Sequence, residues 1–400
     1  MDPPVNRAGQ DVWIRAEEPS AVGAVRRVAV GLAQDAGFDT ERVGQVAVAV
    51  TEAASNLVKH AVEGMALVRP CPGAPEVVEL ITLDHGPGMP DVARAMRDGY
   101  STSGTLGIGL GAITRIASSY DVHSLPGKGT LLAVHFGAAR SGPIYSTPVP
   151  PAPVEPGGHS GSGRPGAAHP GPAGSGSRDS GPAHSGSVHE GGEGGAHSGA
   201  GRVGKEWEGP PRATGLVRAI GEETVSGDAF ALAIGEEATT VLICDGLGHG
   251  PAAACASQTA VELFRSGPDD EPLAILRRLH AGLSPTRGGA AAVARVTREK
   301  VTYAAVGNIS GWIVHPDRRQ GMVSVPGIAG HQARRLQQFE YELDEYATVV
   351  LHSDGLSGRW SPAAMPGLFS RSPAVVAAGL LREAGTRRDD ACVVVVRPRR

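Results

Sequence analysis

Thr239-Thr240-Val241-Leu242-Ile243-Cys244-Asp245-Gly246-Leu247-Gly248-His249-Gly250-Pro251 is an apolar, β-branched run that ends on an acid, turns through alternate glycines and meets a proline. The pattern predicts a strand over Thr239 to Cys244. Glycines allow the tight turn that follows, and proline suits the first position of a helix, here running from Pro251 to Phe264. Asp245 therefore stands where the chain leaves a sheet.

Three more aspartates occupy such positions. Asp228 follows Ser226-Gly227 and precedes a strand over Ala229 to Ile234; Ser353-Asp354-Gly355 ends one over Thr348 to His352; Arg388-Asp389-Asp390 precedes one over Val393 to Arg397. Further strands over Leu216 to Ile220, Ala290 to Val296 and Val301 to Val306, with a helix over Leu273 to Gly282, predict antiparallel sheets flanked by helices. One Asp-Gly pair alone is a turn. Four carboxylates on one edge would repel each other unless divalent cations neutralise them, and hard oxygen ligands select Mg²⁺ or Mn²⁺ over zinc. Two such ions can activate a water and stabilise phosphoryl oxygens. His249 is equally readable as an acid or as an inert turn residue.

The first part of the chain carries a different constellation. A short strand over Asp11 to Arg15 leads to a helix from Ser20, which could cap it, to about Ala36, with Gly37 as its stop. A second helix from Thr40 to His60 places Glu52 and Asn56 four apart on one face, a pair that suits a magnesium ion bridging to phosphates. Lys59 and His60 lie one turn on. The strand containing Leu80, Ile81 and Leu83 then exits into Asp84-His85-Gly86-Pro87-Gly88-Met89. Next come Tyr100 to Gly111, with glycines at Gly104, Gly107, Gly109 and Gly111, and a helix over Ala112 to Ser118. A glycine-rich run feeding a helix N-terminus presents free N–H groups to an anion. Gly127-Lys128-Gly129-Thr130 opens a last strand, Leu131 to Phe136.

In this fixed order the elements resemble the GHKL ATPase superfamily, in particular the bacterial anti-sigma-factor serine kinases of the RsbT and RsbW type. The resemblance implies a Bergerat-type α/β sandwich over residues 11–138 that binds ATP and Mg²⁺. It assigns Asn56 to the metal, Glu52 to the attacking hydroxyl, Asp84 to the adenine amino group and Thr130 to the side of the base. Lys59 would meet phosphate, and Gly86, Gly88, Gly104, Gly107, Gly109 and Gly111 would enclose the nucleotide. Ser101, Thr102 and Gly104 look closer to RsbT. Residues 211–399 resemble the PPM-type phosphatases of the SpoIIE and RsbX branch, implying an α-β-β-α sandwich with two Mn²⁺ or Mg²⁺ ions. Asp228, Asp245, the Gly246 carbonyl, Asp354 and Asp389 would be ligands and Asp245 catalytic. Asn308, Thr286-Arg287-Gly288 and Pro326-Gly327-Ile328 fit that branch. The final Asp-Asp replaces a commoner Asp-Asn, so Asp390 could share the ligand role, and no arginine is assigned to the substrate phosphate.

Residues 141–205 are rich in Gly, Pro, Ser, Ala and His, a composition that cannot bury enough surface to offset ordering. We expect a disordered tether, spanning on the order of 45 Å as a flexible coil. That reach would hold a free-standing phosphatase close to a partner docked on the first domain. The formal net charge of −4 makes no case for nucleic acid or membrane binding. No signal peptide or membrane span is evident, so a cytoplasmic protein is expected. Cys71, Cys244, Cys255 and Cys392 form no CxxC pair and are expected to be buried small hydrophobes.

These features together predict an α+β chain of two domains with opposing phosphate chemistries. It would be an ATP-dependent serine kinase of a STAS-domain anti-sigma antagonist joined to a metal-dependent phosphoserine phosphatase, with an anti-sigma or sigma factor as a further partner. The alternative is a phosphatase whose first domain only senses ATP or sequesters a partner.

Overall fold

In α1 (Ser20–Asp35) the buried positions Val25, Ala29 and Ala33 recur every fourth residue, and in α2 (Thr40–His60) Val46, Val50, Ala53, Ala54 and Leu57 form the matching stripe. The two stripes face one another and a sheet. The computed structural model describes residues 11–96, 109–138, 144–145, 209–221, 223–333 and 335–399. Asp39 caps α2 by accepting the Arg42 N–H. Ser20 does not cap α1: the cap position falls on Pro19, which offers no side-chain acceptor. Gly37, at φ +79°, ends that helix as expected.

The sheet beneath contains β1 (Trp13–Arg15), β2 (Met65–Cys71), β3 (Ala74–Leu83), β4 (Ser119–Ser124), β5 (Thr130–Phe136) and β6 (Ile144–Tyr145), in the order β1-β2-β3-β5-β4-β6. Its helical side also carries the short α3 (Val92–Ala95) and α4 (Gly109–Ile116). Strand β6 pairs with β4 in parallel inside the stretch expected to be linker. The rest of the linker reading lies outside the described residues.

The second half contains β7 (Ala213–Arg218), β8 (Asp228–Ile234), β9 (Thr239–Gly246), α5 (Pro251–Arg265), α6 (Pro272–Gly282), β10 (Gly289–Val296), β11 (Lys300–Val306), β12 (Ser310–Val314), β13 (Arg319–Met322), β14 (Phe339–Glu342), β15 (Thr348–His352), α7 (Pro373–Ala384) and β16 (Ala391–Val396). They form two antiparallel sheets, β14-β11-β10-β9-β8 and β13-β12-β15-β16-β7. Period-two alternation sorts the side chains. In β9, Val241 and Ile243 face the second sheet while Leu242 and Cys244 face α5 and α6. In β16, Cys392 and Val394 face the first sheet and Val393 and Val395 face α7. This is the expected α-β-β-α sandwich.

Helix α7 has a second partner. Its residues share one apolar cluster with Leu216 and Val393 on one side and with Leu67, Ile81, Leu83, Leu131 and Ala133 of the first half on the other. Every residue from Pro373 to Arg382 is buried. Gly379 lies in this tight packing, where a Cβ would sit 2.7 Å from both Leu368 methyls and 3.1 Å from Leu131 Cδ1. The halves are therefore packed on one another. A polar seam continues the contact. Arg69 donates to Glu79 and Asp11 of its own half, and to the Gly215 carbonyl and Thr214 Oγ1 of the other, all at 2.8 to 3.0 Å.

Of the cysteines, Cys71, Cys244 and Cys392 are buried as expected and Cys255 is exposed on α5. Among the described residues no helix is long and apolar enough to cross a membrane.

Candidate functional site

The register of β8 against β9 sets Asp228 directly opposite Asp245. The second sheet brings the other acids to the same edge: Asp354 leaves β15, Asp389 and Asp390 enter β16, and those strands are neighbours. Ser353 joins the two sheets. Its hydroxyl donates to Asp228 Oδ2 at 2.6 Å and accepts the Cys392 N–H at 2.9 Å. Asn308 Nδ2 donates to Asp354 Oδ2 at 2.7 Å. Gly246 lies opposite Gly289 and against the Ala253 carbonyl of α5, where a Cβ would collide. The Thr286-Arg287-Gly288 turn borders this loop, with Leu247 N–H donating to the Gly288 carbonyl.

Burial and neighbouring carboxylates govern the ionisation of Asp228, Asp245 and Asp354. Burial and then the Asp245 charge push the Asp228 carboxyl well up. Burial, then Asp354, Asp389 and Asp390, push Asp245 up to about 7. Asp354 is raised by burial and by Asp389, against the Asn308 hydrogen bond. A cluster of buried, mutually repelling carboxylates fits divalent ions. Asp390 is different, because its two oxygens accept the Ile220 and Gly227 N–H groups at 2.8 and 2.7 Å. It holds the loop before β8. His249 pairs with Glu223 on the surface, 3.2 Å away.

At the other site α2 carries Glu52 and Asn56 one turn apart, both half-buried, with Lys59 exposed. The exit of β3 meets the end of α2, since His85 N–H donates to the Val62 carbonyl and Gly86 lies against the His60 carbonyl. Asp84 is fixed from several directions. Its Oδ1 accepts Gly86 N–H at 2.6 Å, its Oδ2 accepts Thr130 N–H at 3.2 Å, and its own N–H donates to the Thr130 carbonyl. Burial raises its carboxyl and the two N–H donors oppose that. Thr130 Oγ1 shares a hydrogen bond with Ser124 Oγ, which also accepts Met89 N–H. Gly88 sits against the Leu125 carbonyl, while Gly109 and Gly111 begin α4. Gly104, Gly107, Ser101 and Thr102 lie outside the described residues.

The histidine kinase-like ATPase domain family matches residues 16–136. Serine/threonine-protein kinase RsbT of Bacillus subtilis (strain 168) is 32% identical over 108 residues, which cover 27% of this chain and 81% of that protein. Through its first half the chain belongs to the RsbT-type histidine kinase-like ATPases. The family of stage II sporulation protein E, SpoIIE, matches residues 235–399. Three solved structures are similar over 46% of this chain. One is described as the bacterial stressosome, a modular system adapted to control secondary messenger signaling, and is 28% identical over 98% of that chain with a TM-score of 0.44. RsbX in complex with magnesium is 17% identical over 92% of its chain, TM-score 0.42. The PP2C domain of Bacillus subtilis SpoIIE with a fragment of its regulatory domain is 19% identical over 62%, TM-score 0.38. The chain is an enzyme that pairs an RsbT-like ATPase domain with a SpoIIE-type phosphatase domain.

Sequence reasoning missed Ser353 as the link between sheets and Ser124 beside Thr130. Neither is flagged by type, because a serine before an acid or at a strand end is commonplace. A third cluster, Cys71, Glu79 and His135, places ligand atoms within 4.8 Å of one another. Burial alone would raise the Glu79 carboxyl, but Arg69 and His135 hold it down to about 2. The guanidinium already supplies the cation there, so the trio is a structural network.

Proposed function

We propose that the chain is a partner-switching regulator whose first domain phosphorylates a serine of a STAS-domain anti-sigma antagonist and whose second removes phosphate from that protein or a relative. The observation that carries the phosphatase half is the convergence of Asp228, Asp245, Asp354 and Asp389 on one edge, where burial and neighbouring carboxylates raise the first three. Bound Mn²⁺ or Mg²⁺ would supply the charge that lowers the pKa of an attacking water and stabilises phosphoryl oxygens. Asp228 and Asp245 would hold the ions from the first sheet, with the Gly246 carbonyl beside them, and Asp354 and Asp389 from the second. Ser353 and Asn308 fix the directions of Asp228 and Asp354. Arg287 is exposed, and a side chain on Gly248 would meet its Nη1 at 3.4 Å. From there a guanidinium can grip the phosphate of a phosphoserine.

In the first half, Asp84 would accept the adenine amino group, Asn56 would hold Mg²⁺ between ATP phosphates and Glu52 would orient the serine hydroxyl. Gly86, Gly88, Gly109 and Gly111 border the same pocket, and Lys59 supplies positive charge. A second reading, ATP as a controller of the phosphatase without transfer, is favoured by α7 lying against both halves.

The test is to incubate the whole protein with radiolabelled ATP, Mg²⁺ and purified STAS proteins, then add Mn²⁺. Label should enter a serine and then leave it. Asp245→Ala should retain label on the partner and Glu52→Ala should never transfer it. ATP that binds without labelling any STAS protein would favour the second reading, and phosphate release undiminished by excess EDTA would count against the metal centre.

A further inference from the structure

Helix α7 belongs to the phosphatase half by sequence, yet both of its ends are held by the ATPase half. At its start, Asp121 Oδ2 accepts the main-chain N–H of Ser372 at 2.6 Å, with Arg371 3.6 Å from the other oxygen. An acid at a helix N-terminus meets its unpaired N–H groups and the positive end of its dipole. Near its other end, Arg382 Nη1 donates to the Asp84 carbonyl at 3.0 Å. The Arg382 side chain is 4% exposed and its Nε and Nη2 lie 3.0 and 2.9 Å from Glu383 Oε1. A guanidinium costs free energy to bury unless its donors are used, so this one is aimed and not adventitious.

Arg382 reaches the carbonyl because nothing obstructs it from the hairpin side. Gly129, at φ +78°, lies against that oxygen, where a Cβ would collide. With its carbonyl held by Arg382, its N–H by Thr130 and its carboxylate by Gly86 and Thr130, Asp84 has no free rotation at the strand exit.

We infer that Arg382, a residue of the phosphatase half, is a positioning residue of the nucleotide site, which fixes Asp84 in the direction that reads adenine. The inference rests on the reading of Asp84 given above. The nucleotide pocket is then complete only when the phosphatase half is docked. Helix α7 also leads straight to the metal loops: Ser357 N–H donates to the Ala384 carbonyl, Thr386 N–H to the Gly355 carbonyl, and Asp389 follows three residues later. One helix end therefore touches the wall of both sites.

The experiment uses the whole protein and measures the dissociation constants of Mg-ATP and Mg-GTP by calorimetry. Arg382→Met keeps the buried stem and removes the donors. It should weaken ATP about tenfold, the scale of one charge-assisted hydrogen bond, and leave the weaker GTP binding where it is, so that the preference for adenine falls by the same factor. Arg382→Lys should restore more than half of the loss, which a merely space-filling role would not require. Should Arg382→Met not fold, Glu383→Gln loosens the same guanidinium from the surface side and should lower the ATP-to-GTP preference about threefold. An unchanged preference in whichever variant folds overturns the role of Arg382. A wild-type protein that binds ATP and GTP equally overturns the Asp84 reading itself, and shows it before any substitution is made.

Discussion

Ser353 Oγ bridges the two sheets of the phosphatase half by donating to Asp228 at 2.6 Å while accepting the N–H of Cys392. Both partners are buried, so neither can turn to water instead. Ser353→Ala should cost about 1–3 kcal/mol in urea unfolding, the range for leaving buried polar groups unpaired. It should also raise the Mn²⁺ concentration needed for half-maximal hydrolysis of p-nitrophenyl phosphate, because Asp228 loses its orienting donor. An unaltered Mn²⁺ titration would mean that the hydroxyl serves only the fold.

Arg287→Ala should raise the KM for phosphoprotein about tenfold with a smaller change in kcat, since a guanidinium contact to a ground-state phosphate is lost. Steady-state assays on a phosphorylated STAS protein read this directly. If KM stays put, the phosphate is held by other groups.

Burial, followed by the Arg371 and Arg382 charges, pushes the buried His123 on β4 down to about 4. The folded protein therefore keeps this imidazole neutral where an unfolded chain, with the ordinary value of 6.5, takes up a proton. Its contribution to stability is complete above pH 6.5 and is lost as pH falls towards 4. Urea midpoints between pH 7 and 4 should fall less steeply in His123→Gln than in wild type. Parallel slopes would exclude the residue as a source of acid sensitivity.

Arg69 is the hub of the polar seam between halves, and removing it strands Glu79 and Asp11 in a buried environment. Arg69→Met should destabilise by about 3–5 kcal/mol, the usual cost of leaving a buried charge unpaired. It should also divide a single unfolding transition into two, as seen by circular dichroism and calorimetry. One unsplit transition at the wild-type midpoint would show that the apolar contacts of α7 are sufficient alone.

Much of this was legible wherever local pattern decides structure. Helix α2 announces itself by its repeat. The edge acids are recognisable because glycines and strand ends surround them. What escaped has a physical cause. Helix α7 shows no stripe, since Pro373 to Arg382 are buried on every face, and a short, continuous apolar run such as Pro373 to Leu381 cannot be told from a buried strand by periodicity. Strands β12, β13 and β14 are four or five residues long and gain their identity from pairing. Nothing local to Asp390 shows that it accepts the Ile220 and Gly227 N–H groups, which are distant in sequence. The contact of Arg382 with Asp84 spans 298 positions and leaves no mark in either local sequence.

The burial of α7 on all sides sets a limit on modular exchange. A fragment beginning after residue 208 would turn Leu131's place on the helix over to solvent, together with the surface now covered by Ile81 and Leu83. Such exposed apolar area favours self-association. In gene fusions and fissions that reshuffle kinases and phosphatases, this pair would be inherited together or would need a new cover for one helix. The seam between the RsbT-like and SpoIIE-type halves is sealed with hydrocarbon, and neither can be exchanged without replacing that seal.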